Sequence, residues 1–157
     1  ADPDSDGVYT TTATVGPNAT EGNQSVTLTA TDVAGNTATA TTGTLTVDTT
    51  PPTIATFDVV DDGQVVFLFF WAESYTVDWT ATDQNLASTT VTVNRSGTTL
   101  ASYTTASGSE TSTQLGSFGT EYTVRIVAVD AAGNRACRTV TDESDGTDPG
   151  DSQYSSC

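Results

Sequence analysis

The side chains of this chain that could carry chemistry are mainly carboxylates, and the usual catalytic groups are missing. The 157 residues include 20 Asp and Glu, four Arg, two Cys and no His. Without an imidazole there is no histidine base, no Ser-His-Asp triad and no histidine-ligated zinc. Two carboxylates about 5–10 Å apart in a cleft could hydrolyse a glycoside, but most of these acids are expected to lie in solvent. We therefore expect no enzyme activity.

The charge balance indicates the surroundings that the chain tolerates. Its net charge is −16, with no Lys and 35 Thr. Such an excess opposes compaction in dilute buffer, but the Debye length falls to about 3 Å near 1 M salt. The composition resembles that of secreted haloarchaeal proteins; the alternative is an ordinary acidic surface protein. Nucleic acid and anionic lipid are excluded as general partners, and no apolar run is long enough for a membrane span.

Alternating apolar residues predict strands along most of the chain, and no helical period appears. The clearest strand runs from Tyr122 to Ala128 and enters the turn sequence Asp130-Ala-Ala-Gly-Asn134. A similar pattern occurs from Val26 to Ala30 and leads into Asp32-Val-Ala-Gly-Asn36. The same unit, a strand followed by Asp-x-Ala-Gly-Asn and then a second strand, therefore occurs twice. This repetition indicates two related domains. The predicted strands are 8–15, 25–31, 37–47 with a bulge at 41–43, 54–60, 75–81, 88–94, 98–105, 111–115, 122–128 and 135–141.

The stretch 51–141 resembles a fibronectin type III module. The residues that carry the resemblance are Leu115, Gly119-Thr-Glu-Tyr122 and Trp79, which match the family's E–F corner and its strand-B tryptophan. In that family the tyrosine bonds back to the backbone. The first 48 residues resemble the last strands of a bacterial or archaeal Ig-like repeat, and Thr-Val-Asp-Thr-Thr-Pro-Pro-Thr53 resembles the usual junction between repeats. The family is used for spacing, adhesion and display, so the resemblance implies a fold more than a function.

The expected fold is therefore all-β, with a fibronectin-III/Ig-like β-sandwich preceded by a partial Ig-like unit. The domains are 1–48, a proline linker at 49–53, the sandwich at 54–141 and an acidic tail at 142–157. The first unit has three or four strands where such a sandwich needs about seven. Either the segment is cut from a complete domain, or another chain supplies the missing strands.

The Ig-type arrangement implies a cation site at the junction. In that fold the B–C and F–G loops lie at the end where strand A enters, which would bring together Asp83, Asp130 and Asn134, with Asp48 and Glu21 added from the first unit. Ca²⁺ takes six to eight hard oxygen ligands of this kind. The alternative is that Asp130 and Asn134 only cap a hairpin turn.

Two further features, a cysteine pair and a set of glycosylation sequons, point to an exported protein. A Cys137–Cys157 disulfide is expected, which would lay the tail back along the last strand; the alternative is that Cys157 pairs with another chain. Asn18, Asn23 and Asn94 begin glycosylation sequons. We expect Asn18 and Asn23 to be the better acceptors, because both are predicted to lie in a loop, whereas Asn94 closes a strand. Either occupied or bare sequons are compatible with the sequence.

One apolar run differs from the polar, Thr-rich composition of the rest of the chain. It comprises Val65, Val66, Phe67, Leu68, Phe69, Phe70 and Trp71, after a predicted turn at 61–63. As one strand it would be apolar on both faces, so the second face needs a cover. The cover could be the acidic tail, a membrane, or a neighbouring subunit that the run completes by strand addition.

Two functions from different classes follow. The favoured one is a non-enzymatic structural or adhesive module of a cell-surface, appendage or spike assembly, extracellular and from a halophile, which associates with copies of itself or with neighbouring Ig-like modules. The alternative is an accessory or substrate-binding module of a larger secreted hydrolase. An exposed row of aromatic side chains would favour the second.

Overall fold

The predicted all-β class is confirmed. The computed structural model describes residues 12, 14–16, 18–67, 70–112, 119–145, 147–150 and 153–157, with the backbone alone at 42, 63–67, 70–73 and 112. The chain divides into two compact units, of which the second begins at Thr50. Among the described residues there is no helix long and apolar enough to cross a membrane. The strands are β1 Gly22–Thr31, β2 Thr37–Val47, β3 Thr53–Phe67, β4 Phe70–Thr82, β5 Leu86–Arg95, β6 Thr98–Tyr103, β7 Ser107–Ser112, β8 Glu121–Asp130, β9 Arg135–Glu143 and β10 Tyr154–Ser156.

The described part of the first unit is a two-stranded antiparallel ribbon of β1 and β2. Its register shifts between Val26 and Thr27, because Val26 pairs with Gly43 and Thr27 with Thr41, which leaves Thr42 as the extra residue of a bulge. The predicted bulge is therefore confirmed. Of the strand predicted at 8–15, the described residues 12, 14 and 15 are not in a strand, and the others lie outside the described residues.

The bulge decides which side chains share a face of the ribbon. Side chains alternate between faces at every residue, so one extra residue reverses the alternation beyond it. In β2 the apolar residues occupy even positions before the bulge and odd positions after it. With the bulge, all of them share one face with the apolar residues of β1, and the other face is made almost entirely of Thr. The residues of the apolar face are Val26, Leu28, Ala30, Ala38, Ala40, Leu45 and Val47.

The second unit packs a three-stranded sheet, in the order β3-β4-β7, against a five-stranded sheet, in the order β10-β9-β8-β5-β6. Every second residue of the central strands is buried, as period two requires when one face of each sheet meets the other. The alternating residues from Tyr122 to Ala128, from which the clearest strand was predicted, are all buried. The core contains Phe57, Val59, Tyr75, Val77, Trp79, Val91, Val93, Tyr122, Val124, Ile126 and Val140.

Trp79 anchors the middle of this core. Its indole Nε1 donates a hydrogen bond to the carbonyl of Thr105 at 2.9 Å, and its ring stacks on Tyr103 with the centroids 5.4 Å apart. A Cβ at Gly108, directly opposite on β7, would lie 2.5 Å from the indole ring. Glycine is therefore required there. β7 begins at Ser107, four residues before the strand predicted at 111–115, and the predicted residues 113–115 lie outside the described residues.

The predicted turn at 61–63 and the predicted single strand over the apolar run are both wrong. β3 continues to Phe67 with a bulge between Asp61 and Gly63, and β4 starts at Phe70 and pairs back with it. Phe67 is paired with Phe70, Val66 with Trp71, and Val65 with Ala72. The run is thus the far end of the β3–β4 hairpin. A bulge absorbs the extra residue of Asp-Asp-Gly without reversing the chain.

The tail is tied to the sandwich at several points. Cys137 and Cys157 form a disulfide, as predicted, and β10 pairs antiparallel with β9. The Tyr154 hydroxyl accepts a hydrogen bond from the Val59 backbone N–H at 3.0 Å, and the Tyr154 ring contacts Phe57 edge to face. The tail therefore supplies hydrogen bonds to the backbone of β3, the edge strand of the smaller sheet.

The disulfide is expected to hold the tail in place and to stabilise the second unit. It joins residues 20 positions apart, and closing a loop of that length contributes roughly 3 kcal/mol to the free energy of unfolding. Replacing Cys137 and Cys157 together with Ser should lower that free energy by about this amount, as measured by urea unfolding, and should open 144–153 to proteolysis. A double variant as stable and as protease-resistant as the natural chain would contradict this prediction.

Candidate functional site

The loop between β8 and β9 is built around the carboxylate of Asp130. Its Oδ1 accepts the Asn134 backbone N–H at 2.9 Å, and its Oδ2 accepts the Asn134 amide at 2.8 Å. Gly133 has a φ of 95°, which a residue without a Cβ adopts freely. Burial raises the pKa of Asp130, but the Asn134 side chain and three backbone N–H groups outweigh it and hold the pKa below its usual value. The carboxylate is therefore ionised.

The loop between β1 and β2 repeats this geometry. Asp32 Oδ1 accepts the backbone N–H groups of Ala34 and Asn36, both at 2.9 Å, and its Oδ2 accepts the Asn36 amide at 2.8 Å. These hydrogen bonds lower the pKa of Asp32, most of all the one from the Asn36 side chain. The internal repeat read from the sequence is therefore a structural repeat as well. In both copies the Asp and Asn close the hairpin turn.

A second carboxylate approaches the Asp130 loop within the second unit. Asp83 Oδ1 accepts the Asn85 backbone N–H at 2.7 Å, and the Asn85 carbonyl accepts the Ala131 N–H at 2.9 Å. These bonds tie the two loops together. A carboxylate oxygen of Asp83 lies within 4.8 Å of one from Asp130. Two carboxylates at this separation can hold a hard cation between them.

The other predicted ligands, Asn134, Glu21 and Asp48, either bond to other groups or belong to the first unit. Asn134 uses its amide nitrogen on Asp130. In the first unit, the Glu21 carboxylate accepts hydrogen bonds from the backbone N–H and the hydroxyl of Thr49. Asp48 also belongs to the first unit and is half-buried. That Asp48 and Glu21 join Asp83 and Asp130 stays a prediction.

The sequon asparagines differ from expectation at one position. Asn18 is exposed, as predicted. Asn23, however, is not in a loop: it lies in β1 opposite Thr46, whose hydroxyl donates to its side-chain oxygen at 2.8 Å. The strand begins at Gly22 because the ladder with β2 extends to Val47. Asn94 lies one residue before the end of β5, as expected, and its side-chain oxygen accepts the Thr99 hydroxyl at 2.8 Å.

The predicted interface run is described in its backbone only. Val65, Val66, Phe67, Phe70 and Trp71 hold register positions at the end of the β3–β4 hairpin. Leu68 and Phe69 lie outside the described residues. Of the aromatic side chains that are described, four are buried and two are half-buried, which does not favour a stacking surface for sugars. The buried ones are Phe57, Tyr75, Trp79 and Tyr122, and the half-buried ones are Tyr103 and Tyr154.

Sequence reasoning missed two features near the tail. Tyr122 donates a hydrogen bond to the Asp142 carboxylate at 3.4 Å. Residues 113–118, which include Leu115 and form the corner just before Tyr122, lie outside the described residues, so the backbone bond that the resemblance implies stays a prediction. Burial, followed by the charge of Asp142, raises the pKa of Tyr122 well above its usual value. Asp61 is buried, and its carboxylate accepts the Asp145 N–H at 3.1 Å. An acidic tail beside an acidic strand gives no sequence signal for such a bond.

Comparison with known proteins finds no match: no family model, no curated protein and no solved structure is similar to this chain.

The ionised carboxylate of Asp130 should make the stability of the second unit depend on pH. A lowered pKa in the folded state contributes stability above the unfolded value of 3.8, which is lost as pH falls through the folded pKa. Asp130→Asn should unfold at a lower urea concentration than the natural chain at pH 7, and the difference should shrink below about pH 3.8. Glu121→Gln, on the same strand but exposed, is the control. An equal difference at pH 7 and pH 3 would contradict the prediction.

Proposed function

We propose that this chain is a non-enzymatic structural or adhesive module of an extracellular assembly, completed by neighbouring modules or copies. One observation carries the proposal: among the described residues, most of the apolar face of the β1–β2 ribbon is exposed, and only Val47 at its end is buried. Val26 is 45% exposed, Leu28 50% and Leu45 44%. Burying half of an aliphatic side chain contributes about 1 kcal/mol, and an isolated two-stranded ribbon is marginal in water. The ribbon therefore has a strong tendency to acquire a covering sheet.

The second unit shows what such a cover looks like. Counting back from the repeated loop, Leu28 corresponds to Ile126, and Val26 corresponds to Val124. Ile126 and Val124 are fully buried, because the β3-β4-β7 sheet lies across them. The same hairpin is thus half of a sandwich in the second unit, whereas in the first unit no described sheet covers Val26 and Leu28. A sheet with alternating apolar residues, from a second copy or a neighbouring Ig-like module, is the partner that fits by strand complementation.

The end of the β3–β4 hairpin is proposed as a second contact. Gln64–Phe67 pair with Phe70–Glu73, and among the described residues β7 pairs with β4 over Tyr75–Thr80. The last three of these backbone pairs, Val65–Ala72, Val66–Trp71 and Phe67–Phe70, join apolar residue types. A run of apolar residue types at the end of a hairpin is a candidate interaction surface, because contiguous exposed apolar patches mark such surfaces. A neighbouring subunit is its proposed occupant.

One experiment with two variants tests these contacts. Leu28→Ser with Leu45→Ser alters the ribbon face, and Phe67→Ser with Phe70→Ser alters the hairpin end. Sedimentation velocity over rising protein concentration should show self-association of the natural chain, reduced at least tenfold in each variant, because each loses more than about 1.4 kcal/mol of burial. Thr29→Ser with Thr44→Ser, on the Thr face, is the control. Unchanged stoichiometry and affinity in both variants would refute the proposed assembly.

A structural Ca²⁺ between Asp83 and Asp130 belongs to the same proposal, since it would fix the loops at one end of the sandwich. The two oxygens lie within 4.8 Å of each other and both loops are already ordered by backbone hydrogen bonds. The remaining ligands would be water, which is among the oxygen ligands that Ca²⁺ accepts.

Millimolar Ca²⁺ should raise the Tm of the natural chain by about 2–4 °C for each kcal/mol of binding. The same addition should leave the Tm of Asp83→Asn unchanged. Asp78→Asn, which removes a carboxylate from a strand instead, should respond like the natural chain. Differential scanning calorimetry in Ca²⁺ and in EDTA measures all three. If Ca²⁺ shifts the three proteins equally, it acts on net charge and not at this site.

Export to a saline exterior is the setting that best fits these features. The Cys137–Cys157 disulfide is compatible with an oxidising compartment. The net charge of −16 is better tolerated where salt screens it. Glycans on Asn18, Asn23 or Asn94 would suit the same setting. The structural function is favoured over that of a hydrolase accessory module. The latter would require exposed aromatic side chains, and none of the described ones is exposed.

A further inference from the structure

Three of the four cationic side chains of this acidic protein lie on two adjacent strands. Arg125 is on β8, and Arg135 and Arg138 are on β9. Arg125 pairs in register with Thr139, and Arg135 pairs with Val129. Since Val124 and Ile126 are buried against the other sheet, Arg125 lies on the outer face of its sheet. The alternation along β9 places Arg135 on that same face.

The two outer arginines share one recess, which we call the arginine recess. It measures about 490 Å³ and is lined by Arg125, Arg135, Val127 and the Cys137–Cys157 disulfide, together with Ala136 and Ser156. The Arg125 Nε–H donates to Cys157 Sγ at 3.4 Å. Within the part of the chain that the structure describes, neither guanidinium forms an ion pair with a carboxylate. Two exposed guanidinium groups without an acid partner are unusual in a chain with sixteen excess negative charges.

The outer face of the smaller sheet carries the opposite charge. Asp58 on β3 and Asp78 on β4 are directly opposite in register. Their neighbours in sequence, among them Phe57 and Val77, are buried, so both aspartates lie on the outer face. Like charges directly across a ladder destabilise it. Arg138 lines a separate recess with Asp58, so one cation stands near the pair, and the pair keeps a net negative charge.

We propose that the arginine recess of one copy receives the Asp58 and Asp78 carboxylates of a second copy. The two groups lie on opposite outer faces of one sandwich, so they cannot meet within a molecule but can meet between molecules. Guanidinium groups bind carboxylates through two parallel hydrogen bonds. A long-range attraction that salt screens does not supply such bonds. The contact would also relieve the repulsion between the paired aspartates.

This inference rests on the proposed function and names the geometry of one contact in it. The two surfaces differ, so the contact is heterologous, and each copy offers a recess at one side and an acidic pair at the other. Repetition of the contact produces an open stack or a closed ring. The remaining negative charge of each copy opposes approach at low salt, because screening weakens as the Debye length grows. Association is therefore expected to need salt and then to depend on the direct pairs.

Charge reversal on each face tests the contact in the full, disulfide-bonded chain. One variant carries Arg125→Glu and Arg135→Glu, and the other carries Asp58→Arg and Asp78→Arg. Each variant alone should lose at least tenfold in self-association, measured by sedimentation velocity in 0.5 M NaCl, because its two faces then carry the same charge. An equimolar mixture should regain association, since both kinds of contact in an alternating stack are again of opposite charge. Circular dichroism of each variant checks that it is folded.

Three outcomes would overturn the inference. Variants that associate like the natural chain would show that the arginine recess is not a contact, and the assembly tested at Leu28 and Leu45 would still stand. A mixture that stays monomeric would exclude the pairing with Asp58 and Asp78. If polygalacturonate binds the natural chain but not the Arg125/Arg135 variant, while the mixture shows no rescue, the recess takes a free polyanion instead.

Discussion

The structure is governed by a shortage of positive charge. Twenty acidic side chains are accompanied by four arginines, so ion pairs cannot neutralise most of the acids. Backbone N–H groups take that role: Asp32, Asp83, Asp130 and Asp145 each accept at least one from a residue two to four positions ahead. Charge-assisted bonds of this kind are roughly twice as strong as neutral ones. The loops are therefore ordered by the acids themselves.

The same shortage explains the tail. A polar, acidic segment rich in Gly and Ser is disordered when it stands alone, yet here it is bonded to β3 and β9. The disulfide brings its end back, Tyr154 bonds the Val59 backbone, and the Asp61 backbone N–H donates to Asp148 at 3.0 Å. These bonds occupy part of the outer edge of β3, which would otherwise present unpaired backbone groups. One covalent link thus allows weak polar contacts to hold an acidic segment beside an acidic strand.

Local patterns predicted most of the fold. Period-two alternation identified the strands around Trp79 and Tyr122, and the Thr-Thr-Gly sequence at 41–43 indicated the bulge in β2. The prediction of a turn at Asp61 to Gly63 was wrong because bulges and turns favour the same residue types. Only the pairing of the residues that follow decides between them. That pairing puts Phe67 opposite Phe70, a long-range fact that local chemistry does not contain.

The candidate sites were predictable to different degrees. Asp83 and Asp130 could be associated because the implied fold brings their two loops to one end. Asn23 was misplaced because ladder length, which fixes where β1 starts, is set by the partner strand. The arginine recess gave no sequence signal. Arg125 and Arg135 are ten positions apart in sequence, and only the pairing of β8 with β9 brings both to one recess. Pairing across strands is the information that single-strand patterns lack.

The central claim, that this chain is a building module which associates through defined faces, is tested most directly by imaging. Negative-stain microscopy of the full, oxidised chain at rising protein concentration in 0.5–2 M NaCl would reveal any ordered assembly. The account predicts regular stacks or rings with one repeat for each chain. Particles of single-chain size at every protein and salt concentration would contradict it.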